Sequence, residues 1–203
     1  MLIGDISELY NTELGDNLLG GCIDNSIITI PPIVKYMENA VGIDINKYIN
    51  SGVLVMNTKK LREKKFSDKF LYLLNTYHAV ALAPDQDYIN AMCHGKIKYI
   101  DEEWDALPND DRPILDNPKL IHYNFFQKPW NYDNIQYGEY FWKYAKQTDF
   151  YEEIVSIKEN YTDSQREADK KCLENIAKRA FEVPDGDEIT LKKLYDKGVQ
   201  IRL

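Results

Sequence analysis

One segment limits the possible folds more than any other: Tyr48-Ile49-Asn50-Ser51-Gly52-Val53-Leu54-Val55-Met56-Asn57. Its second half is β-branched and almost continuously apolar, which predicts a strand buried on both faces, as in an α/β sheet. Gly52 interrupts it. A glycine inside such a strand costs stability, and it marks either a bulge or a place where a ligand or another stretch of backbone comes close.

Around this strand the chain alternates between periodicities. Asp5-Ile6-Ser7-Glu8-Leu9 predicts a short helix capped by Asp5, with Glu8 placed to reach back as in a capping box. Leu18 to Ile23 reads as a strand. Ile33 to Val41 has helical spacing, after Pro31 and Pro32 break the apolar run that begins at Ser26. Thr58 to Lys65 predicts a helix, and Ser67 the cap of a second one carrying Phe70, Leu71, Leu73, Leu74 and Tyr77. Pro84 opens a helix that stops at Gly95. Ile97 to Ile100 and Leu120-Ile121-His122-Tyr123 read as short strands, with a proline-rich loop between them from Trp104 to Pro118. From Tyr137 onward the pattern is helical. Alternating strands and helices define an α/β class for residues 1–145, with residues 146–203 as a helical C-terminal extension.

Charge and length exclude several functions. With 25 Lys+Arg against 33 Asp+Glu, the net charge of −8 leaves no broad surface for tracking phosphates, so nucleic acid is not an expected partner. No apolar stretch approaches the ~18 residues of a membrane span, and the start lacks a basic leader. Cys22, Cys93 and Cys172 lie far apart without ligand spacing, as free thiols do in a reducing cytoplasm. A cytoplasmic protein is expected, with any membrane association peripheral. Its 15 tyrosines suit sugar faces and wet clefts as well as cores.

The residues able to carry chemistry are few. His122 would project alone from one face of its strand, either as a core histidine or as a metal ligand or acid–base group. Lys128 precedes Pro129 and Trp130, so its ammonium sits in a stiff aromatic turn, either solvated or set to neutralise a diphosphate. Asp85 and Asp87 complement the N-terminus of their helix, or grip sugar hydroxyls and a cationic sugar transition state, with Gln86 between them. Asn50, Ser51 and Gly52 form either a bulge or a hydroxyl-binding turn. No nucleophile triad, phosphate loop or zinc pattern is evident.

In this order these pieces resemble glycosyltransferase family 8. Tyr48 to Asn57 is similar to the family's F/Y-x-N-S/A-G-V strand, Asp85-Gln86-Asp87-x-x-Asn90 to its DQDxLN segment, and His122 through Lys128-Pro129-Trp130 to its HxxGxxKPW signature. Trp104 sits where the family commonly has Trp-Asn, here Trp-Asp, and the first of two departures is Phe125 where the signature has glycine. The resemblance covers Met1 to about Tyr144. It implies a GT-A-like, Rossmann-like mixed sheet with flanking helices, and a retaining transfer of hexose from a UDP-sugar to a saccharide or glycolipid acceptor. By the same resemblance His122 would ligate Mn2+ (or Mg2+) and Lys128 would neutralise the diphosphate. Asn50, Ser51, Gly52 and Asp87 would hold the donor sugar, and Asp85 and Gln86 would stand at the reacting centre. An amide is a poor nucleophile, which favours front-face attack by the acceptor over a covalent Gln86 adduct.

The family's DxD pair is followed by a few apolar residues and a segment like Gly4 to Leu9, so the resemblance puts that pair just before Met1. The expected molecule is thus N-terminally truncated, its sheet incomplete at that end. The alternative readings are a non-catalytic remnant that binds carbohydrate or scaffolds a partner, and an unrelated α/β protein in which His122 and the Asp85–Asp87 turn are purely structural.

Overall fold

A computed structural model describes residues 1–203. Its elements in chain order are α1 (Ile6–Tyr10), β1 (Leu19–Ile23), α2 (Pro31–Tyr36), β2 (Ile49–Met56), α3 (Thr58–Glu63), α4 (Phe66–Tyr77), α5 (Pro84–Met92), β3 (Ile97–Tyr99), α6 (Gly138–Ala145), α7 (Tyr151–Glu159), α8 (Asp163–Glu182) and α9 (Leu191–Asp196). The sheet is mixed, in the order β2-β1-β3, with β1 antiparallel to β2 and parallel to β3. Helices flank it. On one face Leu19 and Ile49 pack with Leu61 of α3 and Ile89 of α5; on the other, Cys22 packs with Leu9 of α1 and Trp104.

The largest core lies beside the sheet. Tyr36, Tyr48, Leu73, Tyr88 and Met92 are packed there together with Ala180, Val183, Leu191, Leu194 and Ile201 from the C-terminal segment. No helix is long and apolar enough to cross a membrane. All three cysteines are free, Cys22 and Cys93 buried and Cys172 exposed.

Several expected details differ. The strand from Ile49 is buried only at Ile49 and Asn50; from Ser51 on it is half-buried or exposed. The reason is its place at the sheet edge, where a single neighbour pairs with it. Leu120 to Tyr123 is no strand either. Leu120 and Ile121 make only isolated bridges, to Leu2 and to Ala106.

The prolines at 31 and 32 do not precede a helix but begin it, because the first turn needs no N–H from them. That helix then widens into a π turn, Met37–Val41. Ser67 falls inside the first turn of α4, which starts one residue earlier at Phe66, whose ring stacks on Phe70. Asp5 caps α1 as expected, accepting from the Ser7 amide, whereas Glu8 turns outward to Lys119 at 2.7 Å instead of closing a capping box.

Candidate active site

The candidate residues meet where β2 bulges. Gly21 pairs with Leu54 and Ile23 with Ile49, so two steps along β1 face five along β2, and the surplus arches out as Asn50 to Val53. The arch turns the Ser51 amide toward Gln86, whose Oε1 accepts it at 2.8 Å. Gln86 Nε2 donates to Asp24 Oδ2 at 2.8 Å, and Asn50 Nδ2 donates to the same oxygen at 2.9 Å. Asn50 Oδ1 in turn accepts from the Gly52 amide at 2.8 Å. These bonds fix both amide orientations, since flipping either would set N–H against N–H and oxygen against carboxylate.

Asp24 is the residue the sequence reading missed. It follows the last residue of β1, is buried, and takes Ser26 Oγ on its other oxygen at 2.6 Å. An acidic residue just beyond the carboxyl end of a glycine-bearing strand was the available signal, because α/β sheets build their sites there.

Helix α5 carries its polar side chains in divided roles. Asp85 is exposed and accepts from Ser51 Oγ at 2.7 Å. Asp87 is fully buried and points the other way. Its carboxylate accepts from the hydroxyls of Tyr48 (2.6 Å) and Tyr36 (2.9 Å) and from the amides of Leu82 and Ala83. Burial pushes the Asp87 carboxyl up, and these donors pull it back. The structure therefore places Asp87 beneath the site, with no oxygen turned toward a sugar. Asn90 clamps the start of β2 as a strand neighbour would, accepting from the Ile49 amide and donating to the Ile49 carbonyl, both at 2.8 Å.

His122 lies across the arch. An added Cβ at Gly52 would fall 2.1 Å from His122 Cε1, so the imidazole rests directly on the glycine backbone. The bulge expected at Gly52 is present, and what comes close to it is the His122 side chain, not another stretch of backbone. His122 Nδ1 meets Asp105 Oδ1 at 3.1 Å, while Asp105 Oδ2 is buried without a partner. Burial pushes the Asp105 carboxyl up, opposed by His122. Lys128 donates to the Tyr123 carbonyl and lies 5.6 Å from the centroid of Trp130; partial burial lowers its pKa. Phe125, at the signature's glycine position, has φ +42°, a left-handed backbone that glycine would adopt more readily.

The metal implied by the resemblance does not fit these residues alone. His122 presents one imidazole nitrogen, and nowhere do three His, Cys, Asp or Glu side chains converge to hold an ion. Hard cations need several oxygen ligands.

Fold and site together define a glycosyltransferase-like, GT-A-type molecule. Among solved structures, the apo form of the bifunctional glycosyltransferase WbbM matches 78% of this chain and 33% of its own, with TM-score 0.66 and 21% identity. The galactosyltransferase LgtC, solved with donor and acceptor sugar analogs, matches 73% of this chain and 58% of its own, with TM-score 0.60 and 24% identity. The family model described as glycosyl transferase family 8 matches residues 1–134, and the chain belongs to that family. A Haemophilus influenzae protein is 30% identical over 116 residues, which is 57% of this chain and 34% of that protein. Lipopolysaccharide 1,2-glucosyltransferase of Escherichia coli K12 is 26% identical over 152 residues, 66% of this chain and 44% of that protein. The chain therefore spans less than half the length of these curated relatives.

Proposed function

We propose that this chain carries the donor-sugar part of a retaining hexosyltransferase site, taking hexose from a UDP-sugar to a saccharide or glycolipid acceptor. The observation that carries the reading is the convergence of Asn50 and Gln86 on one oxygen of Asp24. Asp85 stands on the same helix turn, and His122 lies over Gly52. Two carboxylates beside a sugar favour the positive charge that grows as the anomeric bond breaks. Gln86 is bound at both ends of its amide, which suits an orienting group and not a nucleophile. The bond to the diphosphate breaks and its electron pair leaves with UDP. The acceptor oxygen adds to the face just vacated, and its proton passes to the departing diphosphate.

Lys128 would swing from the Tyr123 carbonyl to meet that diphosphate, its positive charge offsetting the growing negative one. Toward the divalent cation that the resemblance implies, Mn2+ or Mg2+, His122 would offer one imidazole nitrogen, and the residues around it supply no further ligand. Asp87 acts as a positioning residue that seats α5. The acceptor class suits a site on the cytoplasmic side, with membrane contact at most peripheral.

The test is the melting temperature with UDP-hexose, with and without Mn2+. Ligand at ~100 times Kd adds about 2.7 kcal/mol, a rise of roughly 5–10 °C for a chain of this size. Lys128→Ala should reduce that rise while leaving the ligand-free melting point near its original value. His122→Ala should reduce it as well and also lower the ligand-free melting point, because it leaves the buried Asp105 carboxylate without its partner. A cooperatively melting sample whose transition ignores the nucleotide sugar would sink the proposal.

A further inference from the structure

The C-terminal helices hold the loop that follows Lys128-Pro129-Trp130. On α8, Asp169 Oδ2 accepts from Tyr132 OH at 2.7 Å and also from Tyr161 OH. The guanidinium of Arg166, one turn earlier, lies 5.0 Å from the Tyr132 ring centroid and 5.3 Å from that of Tyr161, and donates to the Asn131 carbonyl at 3.0 Å. From α7, Lys158 pairs with Asp133 at 2.7 Å. Three consecutive residues, Asn131, Tyr132 and Asp133, are thus gripped by the helical extension.

The grip passes directly to the lysine. The amides of Asn131 and Tyr132 both donate to the Lys128 carbonyl, at 2.9 and 3.0 Å. A loop held only by its own turns opens easily, whereas charge-assisted bonds at its base raise the cost of opening. Asp169 holds the Tyr161 hydroxyl above its ordinary range, and burial with Asp169 does the same for Tyr132.

We infer that Arg166 and Asp169 are positioning residues for Lys128, and that the helical extension acts as a clamp that presets the diphosphate-binding loop. The inference rests on the donor-site reading for its purpose but not for its geometry.

The test compares the 203-residue chain with Asp169→Ala, with the double variant Tyr132→Phe/Tyr161→Phe, and with Lys171→Ala as a control on the exposed face of α8. Hydrogen exchange is followed at the amides of Asn131 and Tyr132, and UDP affinity is followed by melting. Losing the clamp should speed exchange at these two amides about tenfold, while the amides of β1 stay unchanged. UDP affinity should fall about three- to tenfold, the loop having to be ordered on binding. The control should match the original chain in both. Unchanged exchange at 131–132, or equal acceleration throughout the core, would overturn the clamp. Faster loop exchange with unaltered UDP affinity would overturn its link to the donor site. If the original chain binds no UDP, the donor-site reading fails, and exchange alone decides the clamp.

Discussion

At the scale of single residues, two backbone positions decide how the site is shaped. Gly52 lets His122 lie flat on the arch, and any side chain there must displace the ring, since even a Cβ would fall 2.1 Å from Cε1. Gly52→Ala should therefore destabilise the protein by about 1–3 kcal/mol and move His122 away from Asp105. The measurements are the urea midpoint and the His122 ring resonances, which should shift far more than those of His78. Phe125 is the opposite case. It holds φ +42° and is 51% exposed, so it keeps a strained backbone and gains only partial burial in return. Phe125→Gly should relieve about 1 kcal/mol and raise the melting temperature by roughly 2–4 °C. A fall in melting temperature would show that the phenyl ring supports the loop.

At the scale of elements, α5 shows what a motif can and cannot reveal. Its start follows from Pro84, whereas its end falls at Met92, three residues before the expected Gly95; its polar run was visible as chemistry. The division of labour along that run was hidden, because it depends on partners distant in sequence: Tyr36 and Tyr48 for Asp87, Asp24 for Gln86, Ile49 for Asn90. Local patterns likewise placed His122 near the site but put it on a strand, since only the folded chain shows that Leu120 and Ile121 find isolated partners. The edge position of β2 was invisible for the same reason: β-branched residues report a pleated surface, and not the number of strands beside it. Asn90 offers the direct check on this element. Its side chain supplies both bonds for the buried Ile49 peptide and a third to the Gln86 carbonyl at 2.9 Å. Asn90→Ala leaves the Ile49 amide and carbonyl unpaired and should cost about 2–4 kcal/mol, read as a lower urea midpoint. It should also weaken binding of the nucleotide sugar, because α5 and the arch lose their common anchor.

At the scale of the whole molecule, the question is whether the helical extension is a separate unit or part of one cooperative structure. Its polar, balanced surface reads in sequence as an appendage, and α7 buries none of its residues. Yet the extension contributes to the main core. Ala180 and Val183 are fully buried, Leu191 is 1% exposed, and the Leu203 amide closes on the Met92 carbonyl at 2.9 Å. These groups pack with Tyr36, Tyr48 and Leu73, so removing them would open the cavity beside the same tyrosines that hold Asp87. The apolar surface shared across that contact is lost only when both sides unfold together, which couples their stabilities. Leu191→Ala should then cost about 2–5 kcal/mol and shift the whole denaturation curve. Helical content by circular dichroism reports mainly α8 and its neighbours; with Trp142, which packs on Tyr151 of α7, replaced by Phe in all samples, tryptophan fluorescence reports Trp104 and Trp130 near the sheet and the lysine loop. With and without Leu191→Ala, both probes should move along one curve with a common midpoint. Two separated transitions, with the helical signal melting first and the Trp104 signal unchanged, would show that the extension is an independent unit. The clamp on Lys128 would then be held by a separable domain.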